Sequence, residues 1–217
     1  MAFRGWPAEA LEFYEGLEAD NAKAYWQDHR DVYETYVRAP MEALLEKVEP
    51  EFGKGKIFRP YRDVRFSADK SPYKTAIGAV ASQHGSVFYV QLSADGLFAA
   101  SGYYQMARDQ LNRFRAAVDD DGTGEELVAI VAGLESEGYD VGGEALRSAP
   151  RGFRSDHPRI KLLRHTGVTM GRSWAPAAWL GTARAADRVT QVWRAARPLN
   201  EWLQSHVGPS TEAASSS

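Results

Sequence analysis

The chain of 217 residues contains no cysteine, so it forms neither disulfides nor sites that depend on a thiolate. No stretch approaches the roughly 18 consecutive apolar residues that a membrane-spanning helix needs. Residues 1–5 also lack the apolar core of a signal peptide. We therefore expect a soluble protein that resides in the cytoplasm and does not bind membranes.

The sequence patterns of well-known catalytic sites are also missing. There is no glycine-rich phosphate-binding loop, no nucleophile elbow and no His-Glu-x-x-His helix. The five histidines lack the short spacing of metal ligands, and the aspartate run at residues 119–121 lacks the alternating acid spacing of a calcium loop. We predict neither a metal nor a cofactor, and the sequence does not decide whether the protein is an enzyme.

The net charge of -3 conceals two strongly charged segments. Residues 1–52 carry twelve acidic and five basic side chains, whereas residues 147–172, here called the basic segment, carry seven basic and one acidic. Two interpretations remain open. The charged segments pack against each other or face water, or the basic segment binds an anionic partner such as a nucleic acid or another protein.

Hydrophobic residues make up 44% of the chain, which suffices for the core of one domain over residues 1–208. Helical spacing of apolar residues predicts a first helix over residues 7–18 and a second that begins after an N-cap at Asn21. Pro40 should end or kink that second helix. Residues 209–217 are small and polar, and we expect them to be a disordered tail.

Short segments of strand-like composition occupy the middle of the chain. Four are predicted, over residues 56–67, 73–82, 87–93 and 97–103, and residues 165–170 add a fifth. Tight turns at His84-Gly85 and Asp95-Gly96 make neighbouring strands antiparallel. Further helices are predicted over residues 107–118, 125–137, 174–180 and 182–207. The expected fold is α+β, a mainly antiparallel meander of about four strands covered by N-terminal and C-terminal helices.

Residues 59–74, RPYRDVRFSADKSPYK, form a central stretch in which five basic and two acidic side chains alternate with apolar ones. In an extended chain Arg62 would point into an otherwise apolar face, where a guanidinium needs an acceptor. Arg59, Asp63 and Arg65 would share the opposite face. This mixture of charge and apolar surface makes the central stretch the strongest candidate for a site.

Arginine and lysine bind phosphate and carboxylate groups, and tyrosine can donate a hydrogen bond to them. The predicted ligand-binding residues are Arg59, Arg62, Arg65, Lys70, Tyr73, Lys74, Tyr103 and Arg115. Asp63, Asp69 and His157 are the candidates for acid or base catalysis. The hypothesis requires residues of the central stretch to converge with some of Tyr103, Arg115, Asp156 and His157.

Three functions therefore remain open. The first is a site for a phosphate- or carboxylate-bearing small molecule, and the second is nucleic-acid or protein binding by the basic segment. In the third, the charges of the central stretch form a purely structural ion-pair network. Asp156 has a similar alternative, because it could cap a helix that starts at Pro158. The oligomeric state does not follow from the sequence.

The central stretch also carries a resemblance. Its two motifs are Arg59-x-x-Arg62-Asp63-x-Arg65-Phe66 and Asp69-Lys70-x-x-Tyr73. Agreeing features elsewhere are Phe3-x-Gly5, Asn21 with Trp26, Gly102-Tyr103-Tyr104, Arg115 and Pro150-x-Gly152-Phe153. Over about residues 3–170 the chain resembles the bacterial domain-of-unknown-function family 2461. The resemblance implies a family and no activity.

Overall fold

The structure, a computed structural model, describes residues 2–65 and 69–212, and these residues contain a six-stranded antiparallel sheet with many helices. The α-helices are α1 (Ala8–Ala19), α2 (Lys23–Asp28), α3 (Arg30–Val32), α4 (Ala39–Phe52), α5 (Arg108–Asp119), α6 (Asp121–Ser136), α7 (Ile160–Leu163), α8 (Arg184–Ala195) and α9 (Arg197–His206). The strands are β1 (Gly55–Ile57), β2 (Ala76–Gln83), β3 (Ser86–Ser93), β4 (Gly96–Tyr103), β5 (Asp140–Gly142) and β6 (Val168–Trp174), in the order β1-β2-β3-β4-β6-β5. The predicted α+β class is confirmed.

The sheet has six strands, where a meander of about four and a fifth strand at residues 165–170 were predicted. β5, which pairs with β6 through Val141 and Met170, was not predicted because three residues are too few for a detectable alternation. β6 begins later than the expected strand at residues 165–170 and continues to Trp174. The helix expected over residues 174–180 is therefore wrong, and a short 3-10 helix at Ala178–Gly181 follows the strand instead.

The strand predicted over residues 56–67 is the clearest error, because β1 ends at Ile57. Pro60 has no N–H to donate to a neighbouring strand, so a regular ladder cannot continue through it. An isolated bridge between Tyr61 and Tyr73 is what remains. Arg62 therefore does not point into an apolar face, as strict alternation would require. Phe66 and the rest of residues 66–68 lie outside the described part of the chain.

The chain divides into two compact units. One contains Phe88–Ala99, Ser173–Gln191 and the described part of Met1–Gln83. The other contains His84–Val87, Ala100–Arg172 and the described part of Val192–Ser217. The expectation of one domain over residues 1–208 stays a prediction. Of the described helices, none combines the length and the apolar composition that crossing a membrane would require.

The first unit has an aromatic core built by its N-terminal helices. The Trp26 ring lies 5.7 Å from that of Phe13 and 4.8 Å from that of Tyr33, measured between centroids. Residues Tyr33–Arg38 form a π-helical turn before α4. Pro40, two residues after this turn, lacks the N–H that an ordinary α-helical turn would use, which is consistent with the widened turn. Pro40 does not end the helix, because α4 continues to Phe52, and the irregularity lies in the π-helical turn before it.

A buried arginine organises the second unit. Arg159 is 6% exposed and its guanidinium donates to the carbonyl oxygens of Val118 (2.7 Å) and Asp119 (2.7 Å) at the end of α5. It also binds Asp121 (2.9 Å) and Glu125 (2.7 Å) on α6. One guanidinium therefore bonds to C-terminal carbonyl groups of α5 and to two carboxylates near the start of α6.

The aspartate run at residues 119–121 contains the start of helix α6. Asp120 is the N-cap of α6 and its Oδ1 accepts a hydrogen bond from the Thr123 amide at 3.0 Å. The predicted start at Glu125 was four residues too late, because the two glycines in this turn concealed the cap. Aspartate is among the preferred N-cap residues, so the signal was present.

The chain end remains attached to the second unit as far as it is described. Ser210 Oγ and the Thr211 amide each donate to Asp109 at 2.8 Å, and Arg113 donates to the Pro209 carbonyl at 2.8 Å. The hydrogen bonds that Asp109 accepts lower its pKa, and the bond from the Thr211 amide has the largest effect. Residues 213–217 of the predicted tail lie outside the described residues.

Candidate functional site

A cleft of about 540 Å³ opens beside β1 in the first unit. Basic, aromatic and apolar side chains line it together: Tyr33, Arg38, Lys56, Ile57, Phe58, Arg59, Pro60 and Lys74. The predicted ligand-binding residues Arg59 and Lys74 are part of this lining. Its volume lies within the roughly 300–1,000 Å³ that is typical of small-molecule sites.

Main-chain hydrogen bonds hold the wall of the cleft in place although it is not a regular strand. The Phe58 amide donates to the Gly78 carbonyl at 2.9 Å, and the Lys74 amide donates to the Pro60 carbonyl at 2.8 Å. Arg59 is therefore fixed between two bonded neighbours. Such a scaffold positions a binding residue with little loss of entropy when a ligand arrives.

The basic residues of the cleft differ in how they are neutralised. Arg38 pairs with Glu42 at 3.0 Å and with Glu34 at 3.4 Å, both one helical turn away. In contrast, no carboxylate of residues 2–65 and 69–212 lies within 4.0 Å of a basic nitrogen of the remaining lining cations: Lys56, Arg59 and Lys74. Three positive charges thus face one cleft with no carboxylate of the described chain in ion-pair contact, and Arg59 acts on Asp63 only at longer range, where its charge helps to lower the pKa of Asp63.

Tyr33 adds a neutral donor to this wall. Burial raises its pKa to about 12, an effect that the positive charge of Arg38 partly opposes. The phenol therefore keeps its proton at neutral pH. Neither Tyr33 nor Arg38 nor Lys56 was predicted from the sequence as a site residue. Lys56 lies three residues before Arg59, so the high density of basic residues in this segment could have predicted it as a site residue. No local sequence pattern connects Arg38 to this segment.

Beyond the cleft, the described parts of the central stretch are linked by their own charges. Arg62 pairs with Asp69, which supplies the acceptor that the guanidinium was expected to need. Lys70 Nζ donates to the Val64 carbonyl at 3.0 Å. Both contacts join residues 59–65 to residues 69–74. For these two cations the geometry favours stabilisation of this stretch over ligand binding.

Asp63 and Arg65 form a second internal pair, with Nη2 and Oδ2 separated by 2.7 Å. Hydrogen bonds from the Arg65 side chain and amide lower the pKa of Asp63 to about 2. Hydrogen bonds from Ser71, together with the charge of Arg62, also lower the pKa of Asp69. Carboxylates with lowered pKa values are weak bases, so their environment does not favour the catalytic roles considered for them.

Tyr73 is a packing residue in this structure. It is 5% exposed, and its ring is stacked on that of Trp26 with 4.4 Å between centroids and a 5° interplanar angle. Asn21, predicted as a helix N-cap, instead bonds the Tyr73 main chain, and the N-cap of α2 is Ala22. Tyr73 therefore anchors the central stretch to the aromatic core.

The family suggested by the sequence is confirmed by a family-level comparison. The model of the family described as conserved hypothetical protein (DUF2461) matches residues 9–202. The chain belongs to this family. The match covers most of the chain and extends beyond residue 170, where the resemblance seen in the motifs ended. No curated protein and no solved structure shows significant similarity to the chain.

The DUF2461 description names no activity. The other predicted site residues, which lie in the second unit, make the following contacts there. Tyr103 lines a separate cleft of about 800 Å³ in that unit. The Arg115 Nε approaches the Leu163 carbonyl at 3.4 Å. Neither residue lines the cleft around Arg59, which is formed by residues of the first unit.

His157 is engaged through both ring nitrogens. Its Nδ1 accepts a hydrogen bond from the Arg159 amide at 3.0 Å, so Nε2 carries the proton and donates to Asp119 at 3.1 Å. The lone pair that a general base would use is already occupied. Asp156 binds Arg154 at 2.7 Å, and its predicted role as a helix cap is wrong because α7 begins at Ile160 without a side-chain cap.

Most charges of the basic segment have partners within the second unit. Arg159 is buried, Arg154 pairs with Asp156, and Arg164 donates to the Leu146 carbonyl at 2.5 Å. Arg172 lies over the Tyr139 ring, 4.2 Å from its centroid. The exposed basic residues that remain are Arg147, Arg151 and Lys161. This arrangement is sparse for a surface that binds a phosphate backbone.

Proposed function

We propose that the first unit binds a phosphate- or carboxylate-bearing small molecule in the cleft lined by Lys56, Arg59 and Lys74. The observation that carries the proposal is the group of three cations that face one cleft and pair with no carboxylate of the described chain. Like charges at close range repel each other, and a bound anion removes that repulsion. Arg59 offers a planar fork for two oxygens, and each lysine adds a movable point charge.

The rest of the lining fits an organic anion better than a bare ion. Ile57, Phe58 and Pro60 supply apolar surface, and the Tyr33 phenol can donate a hydrogen bond at any pH near neutrality. Asp63 and Asp69 are not in this lining. The proposal is therefore one of binding, with the Arg62, Asp63, Arg65 and Asp69 contacts serving to stabilise the adjoining part of the central stretch.

A thermal-shift titration with inorganic pyrophosphate and citrate at low ionic strength tests the proposal. A ligand at 100 times its Kd stabilises a protein by about 2.7 kcal/mol, which raises the Tm by several degrees at this size. We expect Arg59→Gln to lose most of this shift. Arg65→Gln is the matched control, because Arg65 belongs to the same stretch and bonds Asp63 outside the cleft.

The outcomes separate the alternatives. If neither anion shifts the Tm of the unaltered protein, the cleft does not bind anions and the proposal is wrong. Equal losses in Arg59→Gln and Arg65→Gln would show a diffuse effect of net charge, which also contradicts it. Suppression of the shift by 0.5 M salt is expected, since exposed charges are screened over about 4–5 Å at that ionic strength.

A further inference from the structure

Two exposed aromatic rings lie at the same segment as the unpaired cations. Phe58, which lines the cleft, is 38% exposed, and Tyr61, three residues further along, is 51% exposed. Large aromatic side chains are usually buried, because each removes a large apolar area from water. Rings left open beside a cationic cleft provide a surface on which a planar ligand group can stack.

The Phe58 ring is fixed in place and still accessible. Its amide is bonded to Gly78, and a Cβ at Gly78 would come within 3.3 Å of the ring, so the ring packs directly against the strand. The Tyr89 ring supports it at 6.3 Å between centroids. Little conformational entropy is lost when a ligand covers a ring that is already held in this way.

A positive charge lies over part of the Phe58 ring face. Lys74 Nζ is 5.5 Å from the ring centroid, so a stacked ligand ring would share this face with the ammonium group, and Arg59 follows Phe58 directly in the chain. An anionic group bound by these two cations would therefore lie within a few ångströms of the stacking surface. The cleft of about 540 Å³ is far larger than a phosphate group alone needs.

We infer that the anion is a phosphate monoester that carries a planar aromatic ring, of the mononucleotide type, with its phosphate at Arg59 and Lys74 and its ring on Phe58. This inference rests on the proposed function and names the ligand class of that site. Stacking on an aromatic side chain tolerates different bases, because every base has a π-face. Selectivity among bases is therefore expected to be weak.

Two probes of equal phosphate charge isolate the ring. We would measure binding of adenosine 5′-monophosphate and of ribose 5-phosphate to the full chain by isothermal titration calorimetry. The expected result is a Kd at least about fivefold lower for the nucleotide, the low end of what one base–aromatic stack contributes. Phe58→Leu should remove this difference by weakening the nucleotide more than ribose 5-phosphate, whereas Arg59→Gln should weaken both.

Each outcome has a distinct meaning. Equal binding of the two probes overturns the inference and leaves anion binding standing, whereas no binding of either probe or of pyrophosphate overturns both. A preference for the nucleotide that survives Phe58→Leu places the ring elsewhere and also contradicts the inference. If Phe58→Leu does not fold, Phe58→Trp decides the matter, because a larger π-surface should keep or increase the preference.

Discussion

The Asn21 side chain and the Tyr73 main chain exchange two hydrogen bonds of 3.1 Å, in which Asn21 Nδ2 donates to the carbonyl and Oδ1 accepts from the amide. The two residues are 52 positions apart, so this pair attaches the end of the central stretch to the N-terminal helices. The Tyr73 ring reinforces the attachment by stacking on Trp26. The wall that contains Arg59 and Lys74 is thus fixed by a polar and an aromatic contact at one residue.

Asn21→Ala is expected to lower the free energy of unfolding by about 1–3 kcal/mol. The change leaves a partly buried amide and carbonyl of Tyr73 without their partners, and such groups cost this much when unsatisfied. Urea denaturation measures the effect. Asn112→Ala, at an exposed position in α5, is the control and should change stability little. Equal stability of the two variants would show that the Asn21 contact contributes nothing.

Two glycines of α6 should respond oppositely to alanine. A Cβ at Gly124 would lie 2.4 Å from the Val118 carbonyl oxygen and 2.6 Å from Arg159 Nε, so Gly124→Ala must displace the buried arginine or the backbone. We expect a loss of about 1–3 kcal/mol, as for other overpacked sites. At Gly133, no described atom outside the neighbouring backbone of its own helix lies within 4 Å of the Cβ position.

Gly133→Ala is therefore the matched control in the same helix. Alanine exceeds glycine in helix propensity, and the open position adds no clash, so we expect a gain of about 0.5–1 kcal/mol. Thermal unfolding monitored by circular dichroism compares the two variants. Stabilisation by both substitutions would mean that the space beside Arg159 is not as tight as the contacts indicate.

Arg159→Lys tests whether the shape of the guanidinium matters in addition to its charge. Lysine keeps the charge but cannot donate at once to two helix-end carbonyls and to the carboxylates of Asp121 and Glu125. We expect the Tm, measured by calorimetry, to fall by several degrees. Arg154→Lys, with a side chain 85% exposed, should leave the Tm nearly unchanged. Similar Tm values for both variants would contradict the organising role of Arg159.

The fold was largely predictable because its signals are local. β3 alternates buried and more exposed residues, tight turns join β2, β3 and β4, and the bounds of these three strands lie within a few residues of those predicted. The failures also have local causes, since three-residue strands such as β5 are too short to show a period. At Pro60 the missing N–H outweighed the strand-like composition around it.

The candidate site was predictable only in part, because a cleft is made by tertiary contacts. Arg59 and Lys74 belong to one segment of unusual composition, and composition pointed to them. Arg38 comes from a π-helical turn, and its place at the cleft depends on how that turn packs, which no local pattern encodes. The same composition also pointed to Arg62 and Arg65, whose carboxylate partners Asp69 and Asp63 lie in the same stretch.

Acidification should weaken the fold through His165 in the second unit. Its Nδ1 is buried without a hydrogen-bond partner among the described residues. Burial lowers the pKa of His165 below the ordinary 6.5, with the charge of Arg164 adding to the effect and the Gly143 and Glu144 carbonyls opposing it. Below pH 6.5 the unfolded chain therefore binds a proton that the folded chain does not yet bind.

Stability attributable to His165 is thus complete above pH 6.5 and decreases as the pH falls below that value towards the folded-state pKa. The slope for one proton is at most about 1.4 kcal/mol per pH unit. Urea denaturation between pH 7.5 and 5.0 measures it, and His165→Gln should flatten the curve. Asp63 and Asp109, whose pKa values are also lowered, act only near and below pH 3.8, outside this window. An unchanged slope in His165→Gln would assign the acid sensitivity to another group.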